Sequence, residues 1–465
     1  MTYHAILFDL DGTLVDHYQA VNDAVVRWSA HGGIEPDINR WFELEKYWFS
    51  VYERGEISLA EQRRERIRHY LHQAQCPDGR ADELFQDFLR LYSDAIRPYP
   101  DALDALERAL ATGATVGILT NGSLAVQRQK LQRAGLDLPG VHLLASEDLG
   151  FAKPDPRCYQ AALDRLGVSA AGTIMVGDNY TNDVQGPVAC GMIARHLDRR
   201  RGQTLDHYPP PAPELVVCDM DGTLLDAHGK VPEHFPTMVE HMNELGVTFV
   251  PASGRQRQTL ALMFPYAKTL IAENGNVLVH NGEVVHSTTL DPAFVRSIID
   301  AARATAAHAS LVLCTADSAY VEDDSDEFLA EVDKYYAART VVEDLRQVDA
   351  PCVKIAIFAF DGSESYPLPE LGPDHVGTIS SPNWIDIMDA TMNKGVALAR
   401  LQEVLGVPME RTAVFGDYLN DVEMLSRAEM SFAMDNAHPI LASTARWRAP
   451  SNAHHGVITA LQCLL

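Results

Sequence analysis

Short runs of uninterrupted apolar residues alternate with longer stretches of helical period along this chain. Early on, the runs are AILF (5–8), TVGIL (115–119), TIMV (173–176) and GMIA (191–194). Helical patterns such as DALDALERALA (101–111) and PRCYQAALDRLG (156–167) lie between them. Further on, LVVC (215–218), VTFV (247–250) and TAVF (412–415) take the same parts. A run without a polar break suits a strand covered on both faces. Regular alternation with helices suits a doubly wound parallel sheet, so the expected class is α/β.

The pattern occurs twice. Residues 5–16 read AILFDLDGTLVD and residues 215–226 read LVVCDMDGTLLD, an offset of 219 − 9 = 210 residues. A repeat of that length is a duplicated domain, not a solenoid. Between the copies, RHLDRRRGQTLDHYPPPAPE (195–214) carries Pro209, Pro210, Pro211 and Pro213. Such prolines lack amide donors and stiffen the chain, which predicts a linker. The expected domains are therefore residues 1–204 and 214–465, joined by a Pro-rich linker at 205–213.

Composition narrows the partners. The chain has 465 residues, 46% of them hydrophobic, enough for a core in each half. Its formal charge of −26 argues against nucleic acid and anionic membrane surfaces as partners. No apolar run approaches the roughly 18 residues of a membrane span. Asp9 and Asp11 follow Phe8 at once, leaving no room for a signal peptide. The 7 cysteines form no CxxC pair, which fits free thiols in a reducing cytoplasm.

The candidate chemistry sits where the apolar runs end. Asp9 and Asp11 lie at the carboxyl end of the first strand, where open α/β sheets bind ligands. In extended chain, residues i and i+2 share a side, so the two carboxylates repel unless a cation or proton intervenes. Thr120, Asn121 and Gly122 follow the second run. Lys153 stands in GFAKPDP, and Gly177-Asp178 precedes Asn182 and Asp183. The second copy repeats the order: Asp219 and Asp221, then Ser253-Gly254-Arg255, then Lys394, then Gly416-Asp417 with Asn420 and Asp421. Any one of these alone is a common cap, turn or surface residue. The ordered set, met twice, is what carries weight.

This set resembles the haloacid dehalogenase-like superfamily, over essentially the whole chain. The resemblance implies two Rossmann-like cores. It implies Asp9 and Asp219 as nucleophiles, with Asp11 and Asp221 as general acid/bases. Thr120, Asn121, Lys153, Ser253, Gly254 and Lys394 would hold the phosphoryl group. One Mg²⁺ per domain would be bound by Asp9, Asp11 and Asp178, and by Asp219, Asp221 and Asp417. Asp183 and Asn182, and Asp421 and Asn420, would stand behind those ligands. Electrostatics agrees: at about 4 Å and an effective dielectric near 20, a carboxylate facing a phosphate dianion meets roughly 8 kcal/mol of repulsion. A divalent cation and a lysine reverse that sign. Members that dehalogenate lack the second aspartate, and the ion pumps carry DKTGT and membrane spans, so phosphoryl transfer is the expected chemistry.

Motif spacing separates the halves. Asp9 and Thr120 are 111 residues apart, whereas Asp219 and Ser253 are 34 apart and Ser253 and Lys394 are 141 apart. The first insertion, about 17–98, is rich in helix formers and resembles the helical cap of β-phosphoglucomutase-like and nucleotidase-like members. The second, about 279–380, includes VLVH (277–280), VVHS (284–287), LVLC (311–314) and VKIAIFAF (353–360), and resembles the α/β cap of Cof-type sugar phosphatases. His17, Tyr18, Arg27 and Trp48 are cap residues without an assigned role. The expected function is hydrolysis of small phosphorylated metabolites by both domains. The alternatives are a phosphomutase in the first domain, or one half acting as a regulatory scaffold.

Overall fold

The computed structural model describes residues 3–305, 307–380 and 382–465; Met1 and Thr2, where the first expected domain begins, lie outside the described residues. The chain forms two compact units. One comprises Met1–Pro211, Trp447–Pro450 and Thr459–Leu464; the other comprises Ala212–Arg446, Ser451–Ile458 and Leu465.

In the first unit, the apolar runs become parallel strands β1 (Ala5–Phe8), β2 (Thr115–Thr120), β3 (Val141–Ala145), β4 (Thr173–Gly177) and β5 (Ile193–His196). Their order is β5-β4-β1-β2-β3. All four β1 side chains are fully buried, as its unbroken apolar pattern requires. Leu7, Leu119 and Met175 pack against Tyr159, Ala162 and Leu163 of the helix Pro156–Leu166. The insertion folds as a helical cap of α1 (His17–Gly32), α2 (Ile38–Glu53), α3 (Leu59–Tyr70) and α4 (Asp78–Ala95). Its centre is aromatic, with Trp41 within 5.8 Å of Trp28 and 5.1 Å of Tyr70. Helices α5 (Ala102–Ala111) and α6 (Leu124–Ala134) return the chain to the sheet.

Two features of this unit differ from the expected domain limits. Leu205 and Tyr208, in the segment expected to be a linker, are wholly buried. Arg108 donates to the carbonyls of Leu205 and Tyr208, at 2.5 and 3.2 Å, which fastens the segment to α5. The strand Trp447–Ala449, expected in the second domain, pairs antiparallel with β5. Trp447 stacks on Tyr208, with ring centroids 5.8 Å apart.

The second unit begins with β6 (Leu215–Asp219), β7 (Thr248–Ala252), β8 (Leu270–Ala272), β9 (Val277–His280) and β10 (Glu283–Ser287). The cap strands follow: β11 (Ala309–Thr315), β12 (Ala319–Val321), β13 (Arg339–Val341), β14 (Cys352–Ala359), β15 (His375–Ile379) and β16 (Trp384–Asp389). The core then resumes with β17 (Thr412–Gly416) and β18 (Met430–Met434). The core order is β10-β9-β8-β7-β6-β17-β18, and the separate cap sheet runs β13-β12-β11-β14-β16-β15. The runs 277–280 and 284–287, expected in the cap, are β9 and β10 of the core sheet instead. The reason is packing: Leu278 joins Val250 and Ile271 in the core, and β9 pairs antiparallel with β8. Among the described residues, no helix is long and apolar enough to cross a membrane.

Candidate active sites

At the end of β1, Asp9 N donates to the Val176 carbonyl at 2.8 Å, so the residue is pinned between β1 and β4. Gly12 then turns the chain with φ +85°, and a Cβ there would lie 2.3 Å from Asp178 Oδ2. Only glycine lets the two loops approach this closely. Lys153, 2% exposed, donates from Nζ to Asp9 Oδ1 at 2.8 Å and to Asp183 Oδ1 at 2.6 Å. Asp9, Asp178 and Asp183 each bring an oxygen within 4.8 Å of the others.

Asn121 Nδ2 donates to the Lys153 carbonyl at 2.9 Å, and Lys153 N donates to Asn121 Oδ1 at 2.8 Å. Thr120 Oγ1 accepts from Gln127 Nε2 at 3.1 Å. The Asn182 carbonyl accepts from Tyr159 at 2.6 Å.

The Asp11 carboxylate has partners of its own. It accepts from Lys130 Nζ at 2.6 and 2.8 Å, and from the Tyr92 hydroxyl at 3.2 Å. Its side chain, expected as a metal ligand, is held by a buried ammonium, and Asp183 stands with Asp9 and Asp178 in the acidic cluster.

The second unit repeats this geometry. Gly222, φ +80°, would bring a Cβ within 2.2 Å of Asp417 Oδ2. Lys394 is the first residue of the helix Lys394–Leu405, whose start is capped by the Asn393 side chain accepting from Val396 N. From there Nζ reaches Asp219 at 2.5 Å and Asp421 at 2.7 Å. Asp219, Asp417 and Asp421 form the acidic cluster, again without the second aspartate of the DxD pair. Asp221 pairs with Arg255, which donates from Nη2 at 2.6 Å and from Nε at 2.9 Å.

Ser253 Oγ accepts from Arg255 N at 3.2 Å, and the Gly254 carbonyl accepts from Lys354 Nζ at 2.9 Å. Asn420 Nδ2 donates to Asn274 Oδ1 at 3.4 Å, and Asn274 donates onward to Asp386 at 2.9 Å.

Both clusters suit a hard divalent cation. Their donors are carboxylate oxygens, the ligands Mg²⁺ prefers, and in each cluster the lysine pairs with two of the three carboxylates. The strain of that arrangement shows in protonation. Burial pushes Asp9 up to about 7, against Lys153 and with help from Asp183. Burial and the charge of Asp9 push Asp178 up to about 7. Burial and Asp421 push Asp417 up to about 6, and burial with Asp421 raises Asp219 well above the usual range. Burial alone would lower Lys153, but Asp183 and Asp9 hold it above its ordinary value. Negative charge is in excess at both places, which a bound cation relieves.

Sequence reasoning assigned no role to Lys130, Gln127, Tyr92, Lys354, Glu273, Asn274 or Asp386. Two signals were present. Gln127 and Lys130 share one face of α6 at i, i+3, just beyond Thr120. Lys354 interrupts an otherwise apolar strand, where it pairs with Glu273 at 2.8 Å.

Comparison with known proteins agrees with this geometry. Two family models, each described as haloacid dehalogenase-like hydrolase, match residues 3–191 and 216–461. The 5-amino-6-(5-phospho-D-ribitylamino)uracil phosphatase of Escherichia coli K12 is 29% identical over 265 residues, covering 54% of this chain and 96% of its own. A phosphatase of Mycobacterium tuberculosis is 34% identical over 49% of this chain and 100% of its own. The phosphoserine phosphatase of Thermus thermophilus is 37% identical over 34% of this chain and 62% of its own. A solved structure from Eubacterium rectale, at 24% identity and a TM-score of 0.50, covers 54% of this chain and 99% of its own, and shows the fold. Two matched halves, each with its own complete set of aspartates and lysine, make the chain a tandem fusion of phosphatase domains that belongs to the haloacid dehalogenase-like hydrolases.

Proposed function

We propose that both units are Mg²⁺-dependent phosphomonoesterases for small phosphorylated metabolites, each working through an aspartyl-phosphate. The observation that carries this is the duplicated lysine bridge: Lys153 spans Asp9 and Asp183 as Lys394 spans Asp219 and Asp421. In this reading one oxygen of Asp9, or of Asp219, attacks phosphorus while the lysine offsets charge on the same carboxylate and on the phosphoryl oxygens. Mg²⁺ held by the acidic cluster would neutralise phosphoryl oxygens. Asp11 or Asp221 would protonate the leaving oxygen and later deprotonate the attacking water. Thr120 with Asn121, and Ser253 with Gly254, would complete the phosphoryl pocket. The caps would exclude bulk water and contact the remainder of the substrate.

The substrate classes are sugar phosphates, nucleotides and phosphorylated cofactors, a range close to the ribityl phosphate named for one relative, while the phosphoserine named for another lies outside it. A phosphate-release screen over such compounds with Mg²⁺ tests the proposal. Asp9→Asn is expected to abolish one set of activities and Asp219→Asn another, with chelation removing both. If one variant silences every substrate and the other none, a single unit is the enzyme.

A further inference from the structure

Asp9 and Asp11 are two positions apart, yet their carboxylates keep different company. Asp9 sits in the cluster with Asp178 and Asp183. Asp11 is gripped through both oxygens by Lys130, at 2.6 and 2.8 Å. Lys130 is only 5% exposed, and its ammonium lies 5.0 Å from the centroid of the Tyr92 ring. Desolvating an ammonium costs several kcal/mol in general, so a buried lysine is retained where its partner needs it. Gln127 joins the arrangement, donating to Thr120 Oγ1 at 3.1 Å and reaching Asp11 at 3.5 Å.

We propose that Lys130 is a positioning residue that sorts the two aspartates, holding the Asp11 carboxylate apart from the acidic cluster so that it is free to serve the leaving group. Without that ammonium, a fourth carboxylate two residues from Asp9 would be free to turn to the cation-binding cluster. The second unit solves the same problem with a different residue. Arg255 holds Asp221 through two hydrogen bonds, at 2.6 and 2.9 Å. Arg255 lies two residues after Ser253, whereas Lys130 lies ten after Thr120. Cations of different chemistry, arriving from different points in the chain, meet the equivalent aspartate. The contact is therefore tied to what that aspartate does, not to one inherited helix.

The inference rests on the phosphatase reading, and the test separates the two. In full-length protein carrying Asp219→Asn, turnover of glycerol 2-phosphate and p-nitrophenyl phosphate is compared with and without Lys130→Met. An alkoxide needs a proton to leave, and p-nitrophenolate does not. Lys130→Met is expected to lower kcat on glycerol 2-phosphate about 100-fold, the scale of lost acid catalysis, and on p-nitrophenyl phosphate by less than about fivefold. Lys130→Arg should restore most of the loss. Equal losses on both esters, or none, overturn the proposal. Calorimetric titration with Mn²⁺ gives a readout independent of turnover: Lys130→Met should bind the ion several-fold more tightly as Asp11 joins the cluster, and unchanged affinity also overturns it. If the Asp219→Asn protein hydrolyses no ester at all, the phosphatase reading of the first unit fails, and the Mn²⁺ titration alone decides the role of Lys130.

Discussion

At the scale of single residues, Gly12 has little freedom to change. An alanine at position 12 would face positive φ and place its methyl 2.3 Å from the Asp178 carboxylate. The αL penalty is about 1 kcal/mol, and moving the carboxylate adds more. Gly12→Ala is therefore expected to lower the first site's turnover at least 100-fold, since a displacement of about 1 Å at a reacting centre has that effect. Phosphate release from the Asp219→Asn background measures it, and an active Gly12→Ala protein would refute the close-approach argument. Much of this site was readable in the chain. Asp9, Asp178 and Asp183, and Asp219, Asp417 and Asp421, lie together in the structure, each group with its lysine. The partners of Asp11 and Asp221 were not, because a lone Lys130 or Arg255 carries no sign of which carboxylate it will meet across the fold.

At the scale of elements, each cap rests on a buried ion pair whose partners come from separate segments. In the first unit, Glu45 of α2 forms an ion pair with Arg66 of α3 at 2.8 Å and contacts His17 of α1 at 3.3 Å. Burial alone would raise Glu45, but Arg66 and then His17 pull it down to about 2. Its folded value lies below its unfolded one. The stabilisation is therefore complete above the unfolded value of about 4.5 and fades as pH falls toward 2. The shift is worth about 3 kcal/mol at neutral pH. Glu45→Gln should lower the denaturation midpoint at pH 7, and the gap from wild type should close on acidification through that window. A gap independent of pH would contradict the ion-pair account.

In the second unit, Lys354 of β14 pairs with Glu273 at 2.8 Å and lies 3.6 Å from Asp386 of β16. Lys354→Met leaves two buried carboxylates short of a cation, and breaking such a pair costs about 3–5 kcal/mol. Because Lys354 also holds the Gly254 carbonyl, second-site turnover should fall while first-site turnover is unchanged at low temperature. Equal losses at both sites would remove Lys354 from the second site's support. Periodicity identified the strands that these pairs join, but not the sheet each strand enters. VLVH at 277–280 reads the same whether it lies in a cap or in a core, and the pairing of β9 with β8 decides it. Unbroken apolar runs such as AILF, in contrast, had one plausible place, and β1 occupies it.

At the scale of the whole molecule, the tail of the chain completes the first unit. The strand Trp447–Ala449 covers the outer edge of β5, with Trp447 opposite Arg195. Tyr208, wholly buried, meets Phe8 at 5.2 Å on one side and Trp447 at 5.8 Å on another. Arg195, 3% exposed, lies 5.7 Å from the Tyr208 ring and 6.0 Å from the Trp447 ring. No local pattern announces a pairing between positions more than 200 residues apart, which is why the repeat and the prolines suggest a clean boundary at residues 205–213; the end of that segment is residue 213. A fragment cut there keeps every first-site motif but loses Trp447 from a closed aromatic cluster and exposes an edge strand. Replacing a buried Trp by Ala costs about 3–5 kcal/mol. Trp447→Ala in the Asp219→Asn background should therefore lower the temperature at which first-site phosphate release is lost, although Trp447 is distant in sequence from every first-site motif. The fragment ending at residue 213 should be less stable still. If that fragment retains both the activity and the inactivation temperature of the full chain, the returning strand contributes nothing to the unit it joins.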